Sequence, residues 1–146
     1  MSIKNVCILG ATGSIGLNTL DVISQHPDRY SAFALTANHN HVDMLALCEK
    51  YKPHFAVMVD ENSAEQLALG ICQKGLNTVV LSGTQSLEDL AGHESVDVVM
   101  AAIVGAAGLK PNLAAASKGK NVLLANKESL VMSGQLFMDC VKKSSA

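Results

Sequence analysis

Six short apolar runs punctuate the chain: residues 5–9 (NVCIL), 31–36 (SAFALT), 55–59 (FAVMV), 78–81 (TVVL), 96–102 (VDVVMAA) and 121–124 (NVLL). Each has the length of a strand, and the apolar residues run on rather than alternate, which predicts strands buried on both faces. Between the runs the spacing turns helical. Leu17, Leu20, Val22 and Ile23 precede a break at Pro27, and Met44, Leu45, Leu47 and Cys48 precede another at Pro53. Ser63 has Gln66 three residues on, a pairing that predicts a helix N-cap at Ser63. Residues 129 to about 143 read as a last helix. Strand alternating with helix about six times predicts a doubly wound α/β fold, a Rossmann-like parallel sheet covered on both faces in a single domain.

Composition narrows the function classes. A length of 146 residues supports one core and is short for two ordinary domains. Hydrophobic residues make up 49% and charged ones 16%, which argues against extended disorder. Eleven basic residues stand against 13 acidic ones, and no Lys/Arg run interleaves with aromatic residues, so no nucleic-acid partner is expected. No apolar run approaches the roughly 20 residues that a membrane helix needs. The N-terminus passes straight into a strand-turn pattern with neither signal nor transit character, so a cytoplasmic protein is expected, with no membrane partner. Cys7, Cys48, Cys72 and Cys140 are scattered, without a CxxC pair, and read as buried thiols in a reducing compartment.

In a sheet of this kind ligands bind at the carboxyl ends of the strands, and the first such end carries ILGATGSIG, residues 8–16. Gly10 lets the chain turn off the strand, Gly13 lets backbone N–H groups approach a diphosphate, and Gly16 permits close packing of helix on sheet. A helix opening near Ser14 then directs its positive dipole end at the phosphates. The spacing is GxxGxxG rather than GxGxxG, and the strand before it and helix after it give it weight. NAD-binding versions place an acid about 20 residues on. Here the second strand leads into Ala37, Asn38, His39, Asn40 and His41, with no carboxylate before Asp43, so NADP is favoured over NAD. A histidine there gains charge as pH falls from about 8 to about 6, and affinity for NADPH is expected to rise with it. His39 and His41 alone make a poor metal site, since no third ligand stands nearby. Asp60 and Glu61 read as adjacent solvated loop residues.

Two further stretches belong to the same sheet edge. MAAIVGAAGL, residues 100–109, passes from strand into small residues that suit the nicotinamide end of a dinucleotide. LLANKESL, residues 123–130, places Asn126, Lys127 and Glu128 just past the sixth strand, facing the ligand if the sheet is parallel; a polar surface loop is the alternative reading.

These three stretches, with TLDVISQHPDRY and SGQLFMD, resemble in order and spacing the N-terminal NADPH-binding domain of the 1-deoxy-D-xylulose 5-phosphate reductoisomerase family, over the whole chain. The resemblance implies an NADPH-dependent and divalent-metal-dependent (Mg or Mn) oxidoreductase of the non-mevalonate isoprenoid pathway. Its substrate would be the sugar phosphate 1-deoxy-D-xylulose 5-phosphate, rearranged and reduced to 2-C-methyl-D-erythritol 4-phosphate. It implies that Thr12, Gly13, Ser14 and Ile15 hold the cofactor diphosphate, that Asn38, His39 and Asn40 hold the adenosine ribose phosphate, that Asn126 and Glu128 also contact cofactor, and that Lys127 reaches substrate. Many members carry Gly-Lys-Asn where this chain has Asn38, His39 and Asn40, which implies a weaker or more pH-sensitive grip on the 2'-phosphate. The family's metal-binding acids sit on a strand after the last helix, beyond residue 146. The chain is therefore expected to be a domain fragment, 1–146, that binds cofactor without catalysing and lacks the metal-binding and C-terminal domains. The complete family member is expected to be a homodimer.

Other classes remain beside this one. Short-chain dehydrogenases share the glycine turn but need a Tyr-x-x-x-Lys pair, and neither Tyr30 nor Tyr51 has a lysine four places later. An aspartate-semialdehyde-dehydrogenase-like domain would need a later catalytic cysteine and would not supply ANKES. A free-standing dinucleotide-sensing or partner-binding module is the non-enzyme alternative.

Overall fold

The apolar runs pair into one parallel sheet in a computed structural model, which describes residues 3–103 and 109–124. The strands are β1 (Lys4–Leu9), β2 (Tyr30–Ala37), β3 (Phe55–Met58), β4 (Val79–Ser82), β5 (Val98–Ala101) and β6 (Asn121–Leu124). The helices between them are α1 (Ser14–Gln25), α2 (His41–Tyr51), α3 (Glu61–Gln73), α4 (Thr84–Ala91) and α5 (Leu109–Ser117). Across the sheet the order is β4-β3-β2-β1-β5-β6, and every neighbouring pair is parallel.

Strands apolar on both faces need cover on both faces, and the helices divide accordingly. On one face Leu20 and Ile23 of α1, Met44 and Cys48 of α2, and Leu67 and Ile71 of α3 pack with Val6, Ile8, Leu35 and Met58 of the sheet. On the other, Leu87, Leu90 and Ala91 of α4 and Ala115 of α5 pack with Cys7, Leu9, Val57 and Val99. The central strands follow the predicted pattern, with Val6 to Leu9 and Ala32 to Ala37 all buried. The outer strand β4 does not: Val79 is 49% exposed, because an edge strand at this position has less cover than the strands inside it.

Register changes once, between β1 and β2. Val6 pairs with Ala32 and Cys7 with Ala34, which leaves Phe33 as an extra residue, a β-bulge. One inserted residue inverts the alternation that follows, so Phe33 and Ala34 both join the α4 side while Leu35 and Ala37 return to the α1 side. Thr36, between the latter two, is thereby directed to the α4 side.

Two expectations change. The N-cap of α3 is Asp60, not Ser63: the Asp60 carboxylate accepts from the Ser63 backbone N–H at 2.9 Å, so the helix starts earlier and Glu61 is its first residue, while Asp60 and Glu61 are both exposed as expected. Both residues are good caps, and the earlier one lies closer to the end of β3. Cys7 and Cys48 are buried, and burial pushes their thiols up to about 12, whereas Cys72 is exposed on α3. The predicted helix over residues 129–143 lies outside the described residues, as do Cys140, Asn126, Lys127 and Glu128.

Candidate functional site

From β1 the chain builds outward through β2, β3 and β4, then crosses back to lay β5 on the other side of β1. Connections diverge at β1, and such a reversal opens a crevice at the carboxyl edge of the sheet. A cavity of about 580 Å³ lies there. Gly10, Thr12 and Gly13 after β1, and Thr36, Ala37 and Asn38 at the end of β2, form one side of its wall. Val59, with Thr84, Leu87 and Glu88 of α4, forms another, and Ala102, Ile103, Lys110 and Pro111 close the side of β5 and α5.

The three glycines of the turn do different things. Gly10 has φ +85, a conformation L side chains rarely adopt, and a Cβ there would sit 2.9 Å from the Ala102 carbonyl oxygen. A Cβ at Gly16 would overlap the Gly10 carbonyl oxygen and lie 2.7 Å from Ala11 Cα. Both positions are glycine because the protein's own backbone needs the space. At Gly13 such a Cβ would make only an ordinary contact, 3.7 Å from the Gly10 carbonyl oxygen, so among the described residues nothing in the fold demands glycine there. Thr36, which the sequence reading did not single out, anchors the turn: its Oγ1 accepts from the Gly10 N–H at 3.0 Å and its carbonyl accepts from the Ala11 N–H at 2.7 Å. The bulge at Phe33 is what aims that hydroxyl toward the turn.

Helix starts separate into two kinds. Asn40 caps α2, its Oδ1 accepting from the Asp43 N–H at 3.2 Å and its Nδ2 donating to the Asp43 carboxylate at 2.8 Å. Asp60 caps α3 and also accepts from the Ser63 hydroxyl at 2.8 Å. By contrast, α1 and α4 begin at Gly13 and Gly83 with no side-chain cap and no acid in the first turn. Those two open ends reach the cavity wall, at Gly13 and Thr84. Uncapped N–H groups and the positive end of the helix dipole favour an anion there.

Of the residues expected to bind cofactor, Thr12, Gly13 and Asn38 line the cavity. Ser14 and Ile15 occupy the first turn of α1 beside it, both exposed, Ile15 at 43%. His39 and Asn40 follow Asn38 on the exposed rim, and the Asn40 side chain is engaged in capping α2. The rim is tied to β3: the Ala37 and Asn38 carbonyls accept from the Val59 and Asp60 N–H groups at 3.0 Å each, and the His39 carbonyl accepts from the Ser63 hydroxyl at 3.1 Å. Asp60 is thus brought beside His39, a neighbour that sequence distance hid. Hydrogen bonds from the Ser63 hydroxyl and N–H hold the Asp60 carboxyl below its usual range, with a smaller contribution from His39. Among the described residues no group of three or more His, Cys, Asp or Glu side chains is placed to hold a metal ion. β6 runs parallel to β5, so residue 124 ends at the same sheet edge as the glycine turn.

Known proteins are similar to this chain in sequence and in fold. The family model described as 1-deoxy-D-xylulose 5-phosphate reductoisomerase matches residues 6–134. The chain is 58% identical over 144 residues to the 1-deoxy-D-xylulose 5-phosphate reductoisomerase of Methylobacillus flagellatus, covering 99% of this chain and 36% of that protein. With the protein of that name from Stutzerimonas stutzeri it shares 56% identity over 141 residues, 97% of this chain and 36% of the relative. A crystal structure of DOX-P reductoisomerase in complex with NADPH, fosmidomycin and magnesium superposes with a TM-score of 0.94 at 47% identity, covering 99% of this chain and 35% of that one. The Zymomonas mobilis enzyme in complex with NADPH gives 0.92 at 42% identity, with 99% and 37% covered. The chain thus spans a little over a third of the length of the relatives it matches.

Proposed function

Since the chain belongs to the 1-deoxy-D-xylulose 5-phosphate reductoisomerase family, we propose that residues 1–146 are the NADPH-binding domain of such an enzyme. The observation that carries this reading is the uncapped start of α1 at Gly13, where a side chain would meet no close contact among the described residues, on the wall of the crevice. Thr12, Gly13, Ser14 and Ile15 hold the cofactor diphosphate with backbone N–H groups and the helix dipole. Asn38, His39 and Asn40 hold the adenosine ribose and its 2'-phosphate, with Asn40 acting mainly through the backbone because its side chain caps α2. Asn126 and Glu128 contact cofactor and Lys127 contacts substrate.

When bound, NADPH supplies the hydride that reduces the rearranged sugar phosphate to 2-C-methyl-D-erythritol 4-phosphate. The divalent metal, Mg or Mn, is held by acids of the longer enzyme rather than by this domain, so the 146-residue chain binds cofactor but does not turn over. The complete enzyme is a cytoplasmic homodimer with no nucleic-acid partner. No helix among the described residues is long and apolar enough to cross a membrane.

Calorimetric titration with NADPH and NADH tests the cofactor assignment. NADPH is expected to bind more tightly than NADH. No binding of either dinucleotide, or equal binding of both, contradicts the reading. Metal-dependent NADPH oxidation with 1-deoxy-D-xylulose 5-phosphate by this chain alone would refute the division of labour.

A further inference from the structure

Lys110 stands at the electrostatically unfavourable end of its own helix. It lies in the first turn of α5, which carries no acidic residue, so its charge meets the positive end of the helix dipole. It is exposed and makes no ion pair among the described residues. Glu88 of α4 lines the same cavity without pairing with it. A cation that opposes its own helix and has no ion-pair partner among the described residues is suited to one from outside the protein, and local rules tend to be broken at functional sites. Other sides of the same cavity carry the uncapped starts of α1 and α4. Helix ends and ammonium thus give the crevice a positive character that Glu88 only partly offsets.

We propose that Lys110 is a cofactor-binding residue that holds the dinucleotide diphosphate across the crevice from the glycine turn. The inference rests on the dinucleotide reading above and adds a charged side chain to a grip otherwise made by backbone. An ammonium reaches a phosphate oxygen as a flexible point charge, which suits a residue at an exposed mouth. The diphosphate is common to NADPH and NADH, so this contact strengthens both equally and leaves the choice between them to the loop at Asn38 to Asn40.

Competition titrations of the 146-residue chain with NADPH and NADH, in the wild type, Lys110→Gln and Lys110→Arg, test the assignment. Lys110→Gln is expected to weaken both dinucleotides by the same factor, about 3- to 10-fold, the range between an exposed ion pair and a charge-assisted hydrogen bond. Lys110→Arg keeps the charge and most of the affinity. The gap between wild type and Lys110→Gln should narrow as KCl is raised from about 0.05 M to about 0.5 M, because an exposed contact is screened. Lys110→Gln within about twofold of wild type for both dinucleotides overturns the inference while leaving the cofactor reading intact. Loss confined to NADPH also overturns it, since the lysine would then read the 2'-phosphate. A wild type that binds neither overturns the cofactor reading, and this inference with it.

Discussion

The starts of α1 and α3 face the same physical demand and meet it in opposite ways. Each leaves backbone N–H groups without intrahelical partners. At α3 the protein satisfies one itself, through the Asp60 carboxylate and the Ser63 N–H, with the Ser63 hydroxyl closing the pair. At α1 the capping position is Gly13, no side chain accepts from the helix, and the cavity lies against it. A capped start has its donors met by the protein itself; an uncapped start leaves them available to an anion. The contrast supports the proposed binding role of the turn after β1, while the turn after β3 fixes the neighbouring rim.

Substitutions can break this contrast from either side, and the largest effect is expected at Gly16. Gly16→Ala places a methyl group against the Gly10 carbonyl oxygen and Ala11 Cα, both backbone, so the turn must shift. A loss of about 3 kcal/mol or more in urea unfolding is expected. Thr36→Val keeps the shape but removes the acceptor of the Gly10 N–H. It should cost about 2 kcal/mol and weaken NADPH binding as the turn loosens, read from a melt and a titration of one preparation. Asn40→Ala removes the α2 cap and should cost about 1 kcal/mol.

The smallest effect concerns pH. The folded Asp60 carboxyl is held below its ordinary value, so its contribution is present above the usual carboxylate range, near pH 4, and is lost as pH falls through the folded value. Between about pH 6 and pH 3 the melting temperature of the wild type should therefore fall further than that of Asp60→Asn, which caps without titrating.

The fold was legible because its central strands are buried on both faces, and continuous apolar runs survive without homologues to compare. Edge strand β4 escaped that rule because its exposure depends on which strands lie beside it, a fact of topology rather than of the run TVVL. The bulge at Phe33 carries no glycine or proline to announce it. At the site, the glycine spacing was readable because each position is constrained by chain turning or close approach. Thr36 and Asp60 were not singled out: one reads as a strand residue and the other as a loop residue until register brings them against Gly10 and His39. Lys110 resembles any surface lysine until the cavity wall is traced. Asn126, Lys127 and Glu128, which the sequence pattern puts just past the sixth strand, lie outside the described residues.

The central claim, that Gly13 borders space reserved for a ligand rather than for the protein, is tested most directly by Gly13→Val measured twice, in urea unfolding and in NADPH titration. A Cβ there meets nothing closer than 3.7 Å, so stability should stay within about 1 kcal/mol of wild type. NADPH affinity should fall by about 100-fold or more, as a branched side chain occupies the diphosphate position. Undiminished NADPH binding by a folded Gly13→Val chain would contradict the account, and the open start of α1 would then be only the start of a helix.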